Sequence, residues 1–146
     1  MSLHQLVGSA WALGTSYRLS QAKWETDFTE VSDPVATNWG FPARTSITGT
    51  LQSWETYALY QTAGGFFARC NAIWLHQTNE GYSPARPTSD SWHLDLLAGY
   101  RFGRRQAELT AGILNLTDED YRLSPVNLHV EGYRTRTFFT QLKFHF

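Results

Sequence analysis

The stretch Arg136-Thr137-Phe138-Phe139-Thr140-Gln141-Leu142-Lys143-Phe144-His145-Phe146 decides the fold class. Phe138, Leu142, Phe144 and Phe146 share one parity, and Gln141, Lys143 and His145 the other. Successive side chains of a strand point to opposite faces, so this stretch predicts a strand with one apolar and one polar face. Phe139 is the exception to the alternation. The chain ends on an aromatic residue.

Working toward the N-terminus, the same period recurs. Trp92, Leu94, Leu96, Ala98, Tyr100 and Phe102 alternate with His93, Asp95, Leu97, Gly99 and Arg101. Ala107, Leu109, Ala111 and Ile113 alternate with Gln106, Glu108, Thr110 and Gly112. Gly103-Arg104-Arg105 turns the chain between them. A strand over about Phe66 to Thr78 puts Phe66, Ala68, Cys70, Ala72 and Trp74 on one side, with Arg69, Asn71 and Gln77 on the other. Thr62-Ala63-Gly64-Gly65 before it predicts a tight turn, because Gly accepts the positive φ of hairpins. A strand over about Arg44 to Gln61 lines one face with Ile47, Leu51, Tyr57 and Leu59 and the other with Thr48, Thr50, Gln52 and Thr56. Trp54 and Glu55 interrupt that pattern. The first strand is expected from about Gln5 to Phe28, with Val7, Trp11, Leu13, Tyr17 and Leu19 on one parity.

Between these six expected strands the connections run long, short, long, short, long. Glu30 to Ala43, Asn79 to Asp90 and Thr117 to Arg134 are the long ones, punctuated by Gly, Pro and Asn. All long loops then lie at one end of the sheet and all tight turns at the other, the asymmetry of outer-membrane barrels. An even strand count would put both chain ends at the tight-turn side. Nothing holds a 3.6-residue apolar period over three turns, so no helix is expected.

Composition fits the same class. Charged residues make up 17% of the 146 residues, against about 25% in an average soluble protein. Aromatics reach 15%, and Lys23 and Lys143 are the only lysines. Mean hydropathy is nevertheless −0.38. A barrel wall that alternates lipid-facing apolar residues with lumen-facing polar ones reconciles these values. No apolar run approaches the roughly 20 residues of a membrane-spanning helix. The N-terminus lacks the basic start and apolar core of a secretory signal. Met1 is therefore read as a start at a truncation point.

At Gly112-Ile113-Leu114-Asn115-Leu116-Thr117-Asp118-Glu119-Asp120-Tyr121 the chain resembles the penultimate-strand motif of TonB-dependent outer-membrane receptors. In that family an aliphatic strand ends in Asn-Leu, followed by Asp and Tyr, then a loop and an Arg-Thr-Phe-rich last strand ending in Phe. Asn115, Leu116, Asp118 and Tyr121 match the motif, and Arg136 to Phe146 matches the last strand. Thr117 stands where the family often has Phe. The match covers about the last 55 residues, from Trp92; earlier strands agree in pattern alone.

The resemblance implies an all-β antiparallel meander of about six strands, residues 1–146 forming the C-terminal part of a 22-stranded transmembrane barrel. Alone it would be an open curved sheet. It implies a transporter that takes up a scarce ligand, such as a ferric siderophore, cobalamin or a glycan, in the outer membrane of a Gram-negative bacterium. The plug domain, the earlier strands and the segment that contacts TonB would lie upstream. Partners would be outer-membrane lipid, lipopolysaccharide and the barrel-assembly machinery, for which Phe138, Leu142, Phe144 and the terminal Phe146 would be the recognition signal. In the motif, Asn115 and Asp118 are expected to hydrogen-bond local backbone, and Tyr121 to anchor the loop at the membrane boundary.

Other chemistry has little foothold. No nucleophile, phosphate-loop or zinc-protease motif occurs, so no enzyme and no cofactor is expected. The five histidines have no ligand spacing and Cys70 is alone. A net charge of −1 with ten scattered arginines gives no reason to expect nucleic acid. Trp39, Arg44, Tyr82, Arg86 and Arg134 lie in or beside the long loops and are candidate contacts for ligand or lipopolysaccharide. Two other readings share the alternation. One is a small autonomous outer-membrane barrel, its first long strand split in two to give eight strands. The other is a soluble barrel holding an apolar ligand, which would turn the Trp92-to-Tyr100 face inward.

Overall fold

The computed structural model describes residues 1–30, 43–103, 106–123, 132 and 134–144. Its elements are β1 (Ser2–Val7), β2 (Trp11–Asp27), β3 (Arg44–Gln61), β4 (Phe66–Glu80), β5 (Ser89–Phe102), β6 (Ala107–Leu114) and β7 (Thr137–Phe144). They form one seven-stranded sheet in the order β1-β2-β3-β4-β5-β6-β7, every neighbouring pair antiparallel. The sheet is open, because β1 and β7 do not pair. No helix occurs among the described residues.

Among the described residues the strand count is seven, not the expected six. The first expected strand breaks at Gly8-Ser9-Ala10, where Gly8 takes a φ of 63°. The alternation runs through this turn undisturbed. Val7 and Trp11 become direct cross-strand partners, so both odd-numbered runs stay on one face. A hairpin of that register is invisible to a parity count. The added strand also corrects the placement of the termini. With an odd count β1 and β7 run parallel, so their starts lie toward the long-loop end.

The remaining turns follow the sequence. Gly65 (φ 101°) and Gly103 (φ 60°) close the β3–β4 and β5–β6 hairpins. At the first, the Thr62 hydroxyl accepts a hydrogen bond from the Phe66 amide at 3.1 Å. Arg104 and Arg105 of the second turn lie outside the described residues, as does most of the β2–β3 loop. The β4–β5 loop is shorter than expected. β4 continues through Asn79 and Glu80, which pair with Gly49 and Thr48.

The two faces differ in chemistry. Trp92 is 56% exposed and its neighbour His93 is 5% exposed. One face, here called outer, carries Trp92, Leu96 and Tyr100 of β5, Leu109 of β6, and Phe138, Leu142 and Phe144 of β7, all exposed. The inner face carries the buried polar residues Gln77, Ser91, His93 and Thr110 and the buried apolar residues Ile47, Phe67 and Leu75. Side chains shield one another on the concave side of a curled sheet, so burial marks the inside of the curve. Large exposed apolar side chains gather on the outer face, while polar groups are buried beside apolar ones on the inner face, unlike a water-soluble sheet with its apolar face covered.

β3 keeps its expected parity, and its more apolar face points inward. Ile47, Leu51, Tyr57 and Leu59 lie on the inner face, and Trp54, Ala58 and Tyr60 on the outer. The residues that interrupted the pattern are therefore ordinary ones. Trp54 belongs to the outer belt, and Glu55 pairs inward with Arg69 at 3.2 Å.

Candidate membrane-contact face and inner wall

The outer face is organised by register. Tyr17 pairs with Trp54, Trp54 with Trp74, and Trp74 with Trp92, so four aromatics line up directly across β2 to β5. The rings of Trp74 and Trp92 are 6.3 Å apart. Each residue of the row except Trp92 has a polar tip with a partner. Tyr17 Oη donates to Gln52 Oε1 at 2.9 Å, and Trp54 Nε1 to Thr15 Oγ1 at 2.6 Å. Trp74 Nε1 donates to Asp90 Oδ1 at 2.7 Å, on the loop side of the row. Asp90 also meets His76 Nδ1 at 3.3 Å, and the His76 ring stacks on Trp74. An amphipathic ring with an apolar body and an anchored polar edge suits a membrane–water boundary.

A second set of aromatics lies toward the tight turns. It comprises Trp11, Tyr60, Phe66, Tyr100, Phe102 and Phe144. Trp11 and Tyr60 rings are 4.8 Å apart, Tyr60 and Phe66 6.4 Å, and Tyr100 and Phe102 6.2 Å. Between the two aromatic sets the outer face is Leu, Ile, Ala, Thr and Cys70, with Phe138 on β7. A shallow groove crosses there, floored by Ala58, Ala68, Cys70, Ala98 and Ala111. From Trp92 to Phe102 the strand covers about 33 Å. A tilt of about 40° brings that to about 25 Å of height, the apolar band of an outer-membrane barrel.

Beyond the Tyr17–Trp54 row, β2 and β3 continue as a polar ribbon. Lys23 pairs with Glu25, and Arg44 Nε with Asp27 Oδ1 at 3.2 Å. The Lys23 ammonium, by hydrogen bond and by charge, holds the Glu25 carboxyl below its ordinary range.

The inner wall carries paired polar side chains and glycines covered by rings, together with the buried His93 whose Nδ1 has no hydrogen-bond partner among the described residues. Arg69 donates to Asn71 Oδ1 at 2.6 Å and to Glu55 Oε1 at 3.2 Å, and its guanidinium lies 4.6 Å from the Tyr57 ring centre. Arg101 Nε pairs with Glu108 Oε2 at 2.7 Å and sits over Phe67. His4 Nδ1 and Tyr57 Oη are 3.1 Å apart. Three inner-face glycines oppose three aromatics in direct register: Gly14 and Tyr57, Gly99 and Phe67, Gly112 and Phe139. A Cβ at Gly112 would stand 2.6 Å from the Phe139 ring, and one at Gly99 2.5 Å from the Phe67 ring. Phe139, the exception in the tail, is therefore the ring that covers Gly112.

The motif residues form a compact knot where β6 leaves the sheet. Asn115, only 3% exposed, has a φ of 52°, and Asp118 a φ of 55°. Asn115 Nδ2 donates to the Glu119 and Arg134 carbonyls, both at 2.9 Å. Its Oδ1 accepts from the Glu119 amide at 3.0 Å and from Thr117 Oγ1 at 3.2 Å. The Leu116 amide reaches the Leu94 carbonyl at 2.7 Å. Tyr121 does not reach the outer boundary. It is buried and lies flat on His93, ring centres 4.6 Å apart. Asp95 and Asn115 bring β5 into this knot, which no local spacing announces.

The remaining candidates are dispersed. Arg44 is tied to Asp27 at the end of the outer ribbon. Arg86 covers the Tyr82 ring at 4.6 Å in the β4–β5 loop. Arg134 lies over Tyr121 at 5.9 Å. Trp39, His145 and Phe146 lie outside the described residues. Phe138, Leu142 and Phe144 point outward on β7, with Gln141 and Lys143 on the inner face. Among the described residues no three His, Cys, Asp or Glu side chains gather as a metal site. No family model, curated protein or solved structure matches the chain.

Proposed function

We propose that this chain is a C-terminal wall segment of a larger outer-membrane β-barrel, of the TonB-dependent transporter kind. The barrel would take up a scarce ligand such as a ferric siderophore, cobalamin or a glycan. The observation that carries the membrane reading is the outer face. Tyr17, Trp54, Trp74 and Trp92 stand in one row and the lower aromatics in another, with an exposed apolar belt of bilayer height between them. The inner face, with its Arg–Glu pairs and ring-covered glycines, suits the wall of a wet lumen. The Asn115-to-Tyr121 motif and the Phe-rich β7 support the transporter family within that class. Lipid and lipopolysaccharide would contact the outer face. The barrel-assembly machinery would read the outward Phe138, Leu142 and Phe144 together with the terminal Phe146, and TonB would act through a region upstream.

Two rival readings lose support from the same features. A soluble barrel would bury Trp92, Leu96 and Tyr100, which are exposed. A small autonomous barrel needs its first and last strands to pair. Single-chain bacterial barrels have even strand numbers and close antiparallel, whereas the seven strands of the described residues leave β1 and β7 parallel. Depth-resolved quenching tests the membrane reading. In vesicles containing the folded chain, lipids carrying a quencher near the headgroup should quench Trp54, Trp74 and Trp92 in single-tryptophan variants. A tryptophan placed at Ala98 should respond to a quencher deep in the acyl chains. Quenching of both groups by aqueous iodide alone would overturn the reading. Uptake of iron chelates, cobalamin or glycans by cells lacking the gene then tests the transport assignment.

A further inference from the structure

β7 pairs with β6 alone, so its register is set from one side. In a hairpin the turn normally fixes the register. The connection from Asn115 to Arg136 is too long to do so. The alternation of β7 is also imperfect, because Phe138 and Phe139 are adjacent. Yet the register is defined: Ala111 faces Thr140, and Leu109 faces Leu142.

We propose that Asp95, Asn115 and Asp118 form a register lock for β7. The lock ties both ends of the long connection to β5, which lies in the interior of the sheet. At the exit from β6, the Asn115 amide donates to Asp95 Oδ1 at 2.9 Å, and the Leu116 amide to the Leu94 carbonyl. At the entry to β7, Asn115 Nδ2 holds the Arg134 carbonyl. Asp118 Oδ1 accepts the Arg136 amide at 3.0 Å, and Asp118 Oδ2 lies 3.7 Å from Arg136 Nη2. The Arg134 amide donates to the Tyr121 carbonyl at 3.3 Å. The residue just before β7 is thereby fixed relative to the residue just after β6. The two positive φ values at Asn115 and Asp118 bend the chain tightly enough for this. The lock sets which outward row receives Phe138, Leu142 and Phe144. These three are positioned by Asp95, Asn115 and Asp118 without touching them.

Disulfide trapping in the full chain tests the lock, because only facing cysteines come within bonding distance. In a Cys70→Ala background, Ala111→Cys with Thr140→Cys reports the native register. Ala111→Cys with Leu142→Cys reports a two-residue slip on the same face. With the lock intact the first pair oxidises and the second stays at background. With Asn115→Ala and Asp118→Ala added, the second pair should rise from background to a yield comparable with the first. Asp118→Asn, which removes the charge and keeps the shape, should give an intermediate yield. A separate control keeps native Cys70 and adds Ala58→Cys, its direct partner on β3. That bond should form with or without the lock and shows that the sheet is present. A slipped pair that stays at background in both lock variants, with the control bond formed, overturns the proposal. The readout does not depend on bilayer insertion, so it fails or succeeds separately from the membrane reading.

Discussion

Gly99 and Gly112 show how single residues build the inner wall. Each faces an aromatic ring in direct register, and each also lies against a neighbouring backbone carbonyl. A Cβ at Gly99 would be 2.5 Å from the Leu109 oxygen, and one at Gly112 2.8 Å from the Leu96 oxygen. Backbone within a sheet yields little, so the ring must swing away or the strands part. Gly99→Ala and Gly112→Ala should each destabilise the folded chain by about 1–3 kcal/mol, the usual cost of overpacking. Gly132 has nothing within 4 Å of a Cβ position, and Gly132→Ala should leave stability unchanged. Urea unfolding followed by tryptophan fluorescence separates the two outcomes. The part-buried Arg69 and Arg101 of this wall each have a carboxylate partner. Arg101 has Glu108, at 2.7 Å. Replacing Glu108 with Gln should cost about 1–3 kcal/mol by weakening a charge-assisted bond, measured by the same unfolding.

Strands carry the contrast between the faces, and β5 and β7 show it most sharply. Leu96 lies mid-belt on the outer face, and Gln141 on the inner face. The same new charge should therefore have unequal effects. Leu96→Arg should cost about 2–4 kcal/mol in a bilayer, the penalty for a cation at mid-depth on a lipid-facing strand. Gln141→Arg keeps its charge on the inner face and should cost well under that. Equal costs in vesicles would show that Leu96 does not face lipid. The β1–β2 hairpin belongs to this scale as well. Gly8 takes a positive φ with open space around it. A side chain there is strained by backbone conformation and not by crowding.

At the scale of the whole molecule the governing fact is that the described residues form an open sheet with an odd number of strands. Both edges present unpaired backbone groups, a ready template for further strands. In a lipid bilayer such edges are costly, because no water is there to satisfy them. The seven-stranded chain reconstituted alone should therefore give no steady single-channel steps in planar bilayers. It should also associate through its edges as its concentration rises. Stable, uniform conductance from the isolated chain would contradict the open-sheet architecture.

Much of this was legible in the residues themselves. Parity divided the faces of β3 to β7 correctly, because successive residues of a strand point to opposite sides. Gly65 and Gly103 marked their turns through positive φ. The local hydrogen bonds of Asn115 to Glu119 followed from its side-chain chemistry, whereas the Asp118 carboxylate reaches the distant Arg136 amide instead. Other features needed the third dimension. A hairpin that preserves parity left β1 hidden inside a longer run. The inward turn of Ile47 and Leu59 depended on the register with β2 and β4, which outweighed the local apolar count. The row from Tyr17 to Trp92 is assembled from four strands far apart in the chain, so no window of sequence contains it. Tyr121 met His93, and Asn115 met Asp95, only because β5 lies beside β6. Sequence by itself determined that this protein is a sheet of two-faced strands, since a period of two is a local property. Tertiary structure alone decided how many strands there are and which residues stand opposite one another, because register is fixed by pairing and not by the strand that pairs.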